Sequence, residues 1–431
     1  MFFRGNGTKS IAAVMLGIWM LCGTPLNLCG GGVLYMIGTA AAADEVEEYV
    51  LAGSTVYESG NTVYTGAGAL AVGDTYAAGD YSVAVGTNDE TVDGDSTIAL
   101  GDYSVAIGNS AQAMDDYAIA MGYNAQATKS NDIAIGNNST ARGSYSIALG
   151  TSADAKQEYS VAIGTEATAT SLEGIAIGTS AQALGYGQNT AIGAYSITSG
   201  DSATAIGAYS GAGGDYSLAL GTSADAEGKM STAVGYSASA DAYGSLALGA
   251  DSEAQGSYSV AISDATASGS YDIAIGYDSV ASGNEAVALG HSAEATGLSA
   301  TALGDNSTAS GNFSTAIGLN SQATAENSMA IGTASYAIGT QSMAIGTSSD
   351  ARGQDSMAIG TNSFANNQGS SAVGAYSYAT GDYSTALGSS TNATGQYSTA
   401  VGYSATASGK YSTALGYKSH SVKLLHHGGR L

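Results

Sequence analysis

The stretch YSIALGTSADAKQEYSVAIGTEATA, residues 145–169, decides the fold because it contains the same unit twice. Each copy opens with Tyr-Ser, continues through a short apolar segment with Ala at its centre, and closes that segment with Gly. The two closing glycines, Gly150 and Gly164, are fourteen residues apart. A fixed short period is typical of a solenoid, in which each repeat buries its apolar face against its neighbours.

The closing glycine is a landmark that can be followed through most of the chain. The landmark position recurs 26 times from Gly73 to Gly416, Gly101 included, mostly in steps of fourteen. Gly occupies 25 of these positions, and Ser263 occupies the other. A second small or turn-prone residue often follows after seven residues. The pattern predicts coils of two strands of about five residues, bent at two corners where Gly supplies unusual backbone angles. Frequent Gly disfavours helix. About 24 coils stacked as parallel strands give a rod of roughly 120 Å.

The two predicted strands of a coil differ in polarity. The first, as in Ser146–Leu149, has Ala two residues before the landmark in all 26 cases, and apolar residues or Thr usually flank it. The second, as in Ser152–Ala155, alternates small apolar and polar residues, which indicates one buried and one wet face. One face of each strand can be buried inside a coil. The first strand therefore has an apolar face left over, which predicts self-association along the rod. Whether Ala148 or its two neighbours point outward is left open by the pattern.

Three units carry a resemblance to a known family: YSVAIGTEATA at 159–169, YSIALGTSADA at 145–155 and NSMAIGTAS at 327–335. They resemble the head repeats of YadA-like trimeric autotransporter adhesins, and the resemblance covers residues 66–417. It implies an all-β, left-handed parallel β-roll with three chains around one axis. It also implies attachment of a Gram-negative bacterium to host cells or extracellular matrix.

Two groups of residues are candidates for adhesion. The best match to the family's head motif consists of Asn327, Ser328, Met329, Ala330, Ile331, Gly332 and Ser335, and a looser copy runs from Asn131 to Ser139. Amphipathic aromatic residues are favoured at interfaces. The second candidate is therefore a tyrosine ridge that contains Tyr103, Tyr117, Tyr145 and Tyr159. The alternative role for these tyrosines is a stacked ladder that packs neighbouring coils. Because similar units recur along the rod, we expect binding to be polyvalent rather than confined to one motif.

The chain ends and the net charge indicate where the protein acts and which partners are disfavoured. Residues 1–43 read as an export signal with basic, apolar and small-residue parts, and they contain both cysteines and the only Trp and Pro. Residues 44–65 form a lead-in, 66–417 the repeats and 418–431 an atypical tail, in which no membrane anchor is recognisable. The net charge of -25 disfavours binding to nucleic acid and anionic membranes. These features predict an exported protein at a bacterial surface or outside the cell.

The sequence lacks the patterns that an enzyme of a familiar class would show. It contains four histidines, His291, His420, His426 and His427, and none is part of a hydrolase or zinc-protease motif. Acidic residues do not follow the nine-residue period of calcium-binding β-rolls. We expect no catalytic function, no cofactor and no metal site. The alternative to an adhesin is a structural or ice-binding solenoid, although the outward residues of the second strand lack the regular threonine array that ice binding favours.

Overall fold

The computed structural model describes residues 49–51, 56–58, 61–63, 66–73, 75–86 and 96–422, and every regular element in these ranges is a β-strand. The predicted export signal, residues 1–43, lies outside the described residues. The first elements are Tyr49–Leu51, which pairs antiparallel with Leu70–Gly73, and a hairpin of Val56–Glu58 with Asn61–Val63. All later strands belong to two long parallel sheets that alternate along the chain.

Sheet one contains the apolar segment that precedes each landmark. Apart from Tyr49–Leu51, its strands have three or four residues, with Ala as the second residue of each. They are Leu70–Gly73, Val83–Gly86, Val105–Ile107, Ile119–Met121, Ile133–Ile135, Ile147–Leu149, Val161–Ile163, Ile175–Ile177, Thr190–Ile192, Thr204–Ile206, Leu218–Leu220, Thr232–Val234, Leu246–Leu248, Val260–Ile262, Ile273–Ile275, Val287–Leu289, Thr301–Leu303, Thr315–Ile317, Met329–Ile331, Met343–Ile345, Met357–Ile359, Ser371–Val373, Thr385–Leu387, Thr399–Val401 and Thr413–Leu415.

Sheet two contains the second strand of each coil. After two three-residue strands, its members have only two residues. They are Thr75–Ala77, Thr97–Ala99, Gln112–Ala113, Gln126–Ala127, Thr140–Ala141, Asp154–Ala155, Thr168–Ala169, Gln182–Ala183, Ile197–Thr198, Gly211–Ala212, Asp225–Ala226, Ser239–Ala240, Glu253–Ala254, Thr266–Ala267, Val280–Ala281, Glu294–Ala295, Thr308–Ala309, Gln322–Ala323, Tyr336–Ala337, Asp350–Ala351, Phe364–Ala365, Tyr378–Ala379, Asn392–Ala393, Thr406–Ala407 and His420–Ser421.

The register of both sheets follows the repeat. Ala148 pairs with Ala134 on one side and with Ala162 on the other, one coil away in each direction. The predicted parallel β-solenoid of about 24 coils is confirmed. The strands are shorter than the predicted five residues, because each corner takes up several residues in turn conformations.

The core is a set of stacked alanine columns. In one coil Ala148 from sheet one and Ala153 and Ala155 from the sheet-two side are fully buried, and their counterparts in other coils repeat this arrangement. In most coils where position 153 has a Ser counterpart, the hydroxyl caps the corner, as Ser335 Oγ does by donating to the Gly332 carbonyl at 3.0 Å. Small side chains let the two sheets lie close together. The predicted thin, repeated core is therefore present.

Each coil has a first corner, which follows the sheet-one strand and begins at the landmark Gly, and a second corner, which follows the sheet-two strand. Both corners depend on left-handed backbone conformations. The landmark Gly164 has φ of +134°, and a Cβ there would lie 2.4 Å from the carbonyl oxygen of Gly178 in the next coil. Only Gly fits this combination of angle and contact. Two other residues of the coil, Tyr159 and Glu166, also have positive φ, 56° and 59°. Their amides donate to carbonyl oxygens of the preceding coil, which offsets the cost of the conformation.

The structure corrects one landmark. Gly101 was expected to close a first strand, but the preceding Thr97–Ala99 belongs to sheet two, where it pairs with Thr75–Ala77. Gly101 instead lies at the second corner, where a Cβ would be 1.9 Å from the carbonyl carbon of Asp115. The coil around it is enlarged, since Val83 pairs with Val105 across 22 residues. The true landmarks therefore number 25, one for each parallel strand of sheet one.

Candidate adhesive surface

Sheet one presents an apolar stripe to the outside. Its members are the residues directly before and after each buried Ala. Ala148 is fully buried, whereas Ile147 and Leu149 beside it are half-exposed. The structure thus answers the question that the pattern left open: Ala points inward and its neighbours point outward. The residue after the buried Ala is Val, Ile, Leu or Met in every coil, so the stripe is continuous along the solenoid.

The other column of the stripe, before the buried Ala, changes along the chain. It is apolar in the coils from Val105 to Ile177. Three successive coils have methionine there, Met329, Met343 and Met357. From Ser371 to the last coil the residue is Ser or Thr. The stripe is therefore two apolar columns wide near the N-terminal coils and one column wide near the C-terminal coils.

The outer face of sheet two is mostly polar, with Gln, Thr, Asp and Glu in an irregular order. One aromatic patch interrupts it, formed by Tyr336, Phe364 and Tyr378 together with Arg352. The Arg352 guanidinium lies 5.4 Å from the centre of the Phe364 ring and forms an ion pair with Asp350 at 2.7 Å. The hydrogen bonds that the Arg352 guanidinium donates to Asp350 raise the pKa of Arg352. This patch was not predicted from the sequence. The pattern that could have indicated it is three aromatic residues at the outward position of sheet two, where most coils have a polar residue.

The predicted tyrosine ridge lies on the second corner. Tyr103, Tyr117, Tyr145 and Tyr159 are each about half-exposed, between 50% and 53%. The rings of Tyr103 and Tyr117 stack with centres 5.3 Å apart, and those of Tyr145 and Tyr159 stack at the same distance. Asn131 occupies the coil between the two pairs. The four tyrosines are thus brought together as two stacked pairs rather than one unbroken ridge.

The predicted adhesive motif is divided between the surface and the interior. Asn327 is exposed at the second corner, and Met329 and Ile331 lie in the apolar stripe. Gly332 is half-exposed at the first corner. Ser328, Ala330 and Ser335 are buried, with at most 1% of each exposed.

The looser copy has the same division. Asn131 is half-buried at the second corner, and Ser139 is buried. The hydroxyl of Ser139 donates to the Gly136 carbonyl at 3.1 Å, as Ser335 does in its own coil. The serine that ends either copy, Ser335 or Ser139, is therefore a buried corner residue, and the motif does not form one contiguous polar site.

Two carboxylates are buried at a position where most coils have Ser. Asp132 accepts hydrogen bonds from the amides of Lys129 and Ser146 and from the Ser146 hydroxyl. Asp272 accepts from the amides of Gly269 and Ala286. Burial raises the pKa of both, although these hydrogen bonds oppose the shift. Each carboxylate ties two coils together and faces no solvent.

Two histidines, His291 and His420, lie in the described part of the chain, and both are exposed. His291 Nδ1 lies 3.0 Å from Asp305 and its ring stacks on Tyr277, and His420 lies in the last strand of sheet two. His426 and His427 lie outside the described residues. Among the residues that are described, no group of three His, Cys, Asp or Glu side chains could hold a metal ion. That part of the chain also contains no helix long and apolar enough to span a membrane.

These features define a class of protein: a parallel β-solenoid with a continuous apolar stripe on one sheet and a polar outer face on the other. The profile of the YadA head domain repeat matches residues 99–181, 190–262, 267–293, 295–391 and 393–419. The chain belongs to this family, and the predicted resemblance is confirmed. It is an adhesin-type family and not an enzyme family.

The chain is also similar to individual solved structures. The crystal structure of the collagen-binding domain of the Yersinia adhesin YadA is 28% identical to this chain, covering 42% of this chain and 69% of that one. The TM-score is 0.18. No curated protein matches the chain.

Proposed function

We propose that this chain is the head of a homotrimeric adhesin, which attaches a bacterium to host cells or extracellular matrix through many weak contacts along the rod. The observation that carries the proposal is the contrast between the two outer faces. Sheet one is apolar in every coil at the position after the buried Ala, and sheet two is largely polar. One face is suited to a partner chain and the other to solvent and ligand.

The trimer is supported by the extent of the apolar stripe. Exposed members such as Leu220, Leu248 and Leu387 leave 41% to 46% of their surface accessible in a single chain. Soluble monomers rarely leave a contiguous apolar patch larger than a few hundred Å² in water. Packing three sheet-one faces around one axis would bury this stripe. The number three and the left-handed coil come from the family resemblance.

Ligand binding is then expected on the surfaces that stay exposed in the trimer. Sheet two and the tyrosine corner offer similar groups in successive coils, separated by roughly 4.8 Å. A contact of millimolar strength becomes useful when many can form together, because each later contact forms at high effective concentration and avidity can gain ~10² to 10⁴. The proposed export signal and the family resemblance support a location on the surface of a Gram-negative cell or outside it.

The test combines assembly and adhesion. Light scattering on the chain without residues 1–43 should give the mass of three copies, and a soluble monomer would contradict the trimer. Binding to immobilised matrix protein is then measured on variants that lack one, three or five blocks of fourteen residues. We expect a progressive loss while the trimer persists. An absence of binding to matrix protein, together with strong inhibition of ice recrystallisation, would favour the ice-binding alternative.

A further inference from the structure

The tyrosines on the corners of the solenoid form face-to-face pairs between successive coils. Ring centres lie 5.1 to 5.6 Å apart and ring planes differ by 3° to 18°. The pairs are Tyr81–Tyr103, Tyr103–Tyr117, Tyr145–Tyr159, Tyr195–Tyr209, Tyr258–Tyr271, Tyr383–Tyr397, Tyr397–Tyr411 and Tyr403–Tyr417.

The backbone holds each pair in place. The Tyr397 amide donates to the Asp382 carbonyl at 2.8 Å, and the Tyr411 amide donates to the Gln396 carbonyl at 2.9 Å. Both tyrosines have φ near +60°. Because these hydrogen bonds join one coil to the next, the two rings stay adjacent as long as the coils remain stacked. About 44% of Tyr397 and 65% of Tyr411 is exposed, so an oxidant in solution can reach both rings.

We infer that these pairs are sites of dityrosine cross-linking within one chain, with hydrogen peroxide as the oxidant and a haem peroxidase as the catalyst. Each of the two phenols loses one electron and one proton and becomes a phenoxyl radical. The radicals join through a new carbon–carbon bond between the ring positions ortho to the oxygens. Each bonded carbon then loses its hydrogen as a proton and each oxygen regains one. The net reaction converts two tyrosines and one hydrogen peroxide into one dityrosine and two waters.

The stacked arrangement favours coupling within the chain over coupling between chains. Two free phenoxyl radicals must meet by diffusion, whereas fixed neighbours react at a high effective concentration. Trp and Cys, which compete for one-electron oxidants, occur only at Trp19, Cys22 and Cys29. The described coils therefore contain no Trp or Cys that would divert the radical.

The product would be a row of covalent links between coils. Each link would join residues one coil apart, such as Tyr397 and Tyr411, beside the hydrogen bonds that already hold the coils together. If those hydrogen bonds break and the corner opens, the covalent link would still join the two coils. The modification would thus strengthen an exposed edge of the rod under oxidising conditions.

The experiment treats the full chain with a haem peroxidase and hydrogen peroxide, then maps linked peptides by mass spectrometry. We expect linked peptides from the stacked pairs, each with the loss of two hydrogen atoms, and unchanged mobility of the chain on a denaturing gel. Tyr397→Phe should abolish the links to Tyr383 and Tyr411 and leave the Tyr145–Tyr159 link intact. Phe is tolerated at this corner position, since Phe313 occupies it.

Tyr186→Phe is the matched control, because Tyr186 is 85% exposed and has no ring partner among the described residues. It should leave the intrachain links unchanged. The inference is wrong if links form mainly between chains, if they involve Tyr186 as often as Tyr397, or if Tyr397→Phe leaves the link at Tyr411 unaltered. A failed trimer assay would not affect this result, since each link lies within one chain.

Discussion

Asp132 Oδ1 accepts two hydrogen bonds from Ser146, which lies one coil further along: one from the backbone amide at 2.9 Å and one from the hydroxyl at 2.8 Å. The carboxylate is fully buried at a position where most coils have Ser. Its hydrogen bonds favour the charged form, and its burial disfavours that form more strongly.

This balance predicts a pH dependence of stability. Burial raises the folded-state pKa of Asp132 above 3.8, so the folded chain holds this proton more tightly than the unfolded chain does. Between the ordinary and the raised value, the free energy of unfolding therefore falls as the pH rises. Asp132→Ser should remove this contribution. Thermal melts from neutral to acidic pH should show a smaller gain in stability on acidification for the variant than for the original chain.

The control for Asp132→Ser is Asp251→Ser, which removes the same charge from an exposed corner. Serine occupies the equivalent corner position in other coils, for example Ser223 and Ser237. The thermal stability of Asp251→Ser should change with pH in the same way as that of the original chain. Identical profiles for all three proteins would show that the buried carboxylate does not couple protonation to folding.

A second prediction concerns the landmark glycine. Gly164→Ala would place a methyl group 2.4 Å from the Gly178 carbonyl oxygen at a φ of +134°. We expect a loss of more than about 2 kcal/mol in the free energy of unfolding, from strain and from the clash. Gly213→Ala is the matched control, because its Cβ would meet no atom closer than 3.7 Å. Equal denaturation midpoints for the two variants would contradict the role assigned to the landmark.

Much of the architecture could be predicted, because one sequence period controls both sheets. The invariant Ala, as in Ala148, and the closing Gly fixed the coil length and the coil number. Gly101 was misassigned because Thr97–Leu100 has the composition of a first strand, and only strand pairing showed that it belongs to sheet two. The direction of Ala148 needed the structure as well, since both faces of its strand are apolar or small.

The candidate site was predicted less completely. Tyrosines fourteen residues apart predicted a stacked ladder or ridge at the corner. The ridge is interrupted because the coil between Tyr117 and Tyr145 has Asn131, which has no ring, at this position. The burial of Ser335 could not be read from a motif that gives no side-chain direction. The patch around Phe364 depends on which face of sheet two is outside, and that follows from the fold rather than from any local sequence pattern.

A third prediction tests the apolar stripe. Ile163 is half-exposed in the single chain and lies on the face assigned to the trimer. Ile163→Asp would place a carboxylate in that interface at a cost of several kcal/mol if it remains unpaired. We expect a smaller mass by light scattering and an earlier melting transition. Thr168→Asp is the matched control, because sheet two already carries Asp154 one coil earlier. A trimer of unchanged stability in Ile163→Asp would show that this face remains in water.

The last prediction separates adhesion from folding at the motif 327–335. Asn327 is an exposed corner residue with φ of 56°, and Ser335 is a buried residue that donates to the Gly332 carbonyl. Ser335→Ala should lower the free energy of unfolding by about 1 kcal/mol through loss of that hydrogen bond. Neither Ser335→Ala nor Asn327→Ala should change binding to immobilised matrix protein by more than about twofold, since many other coils retain their contacts. The measurements are surface binding at a temperature well below the melting transition and thermal melts of the same samples. An abrupt loss of binding in Asn327→Ala with normal melting would identify one discrete site and contradict the polyvalent mechanism.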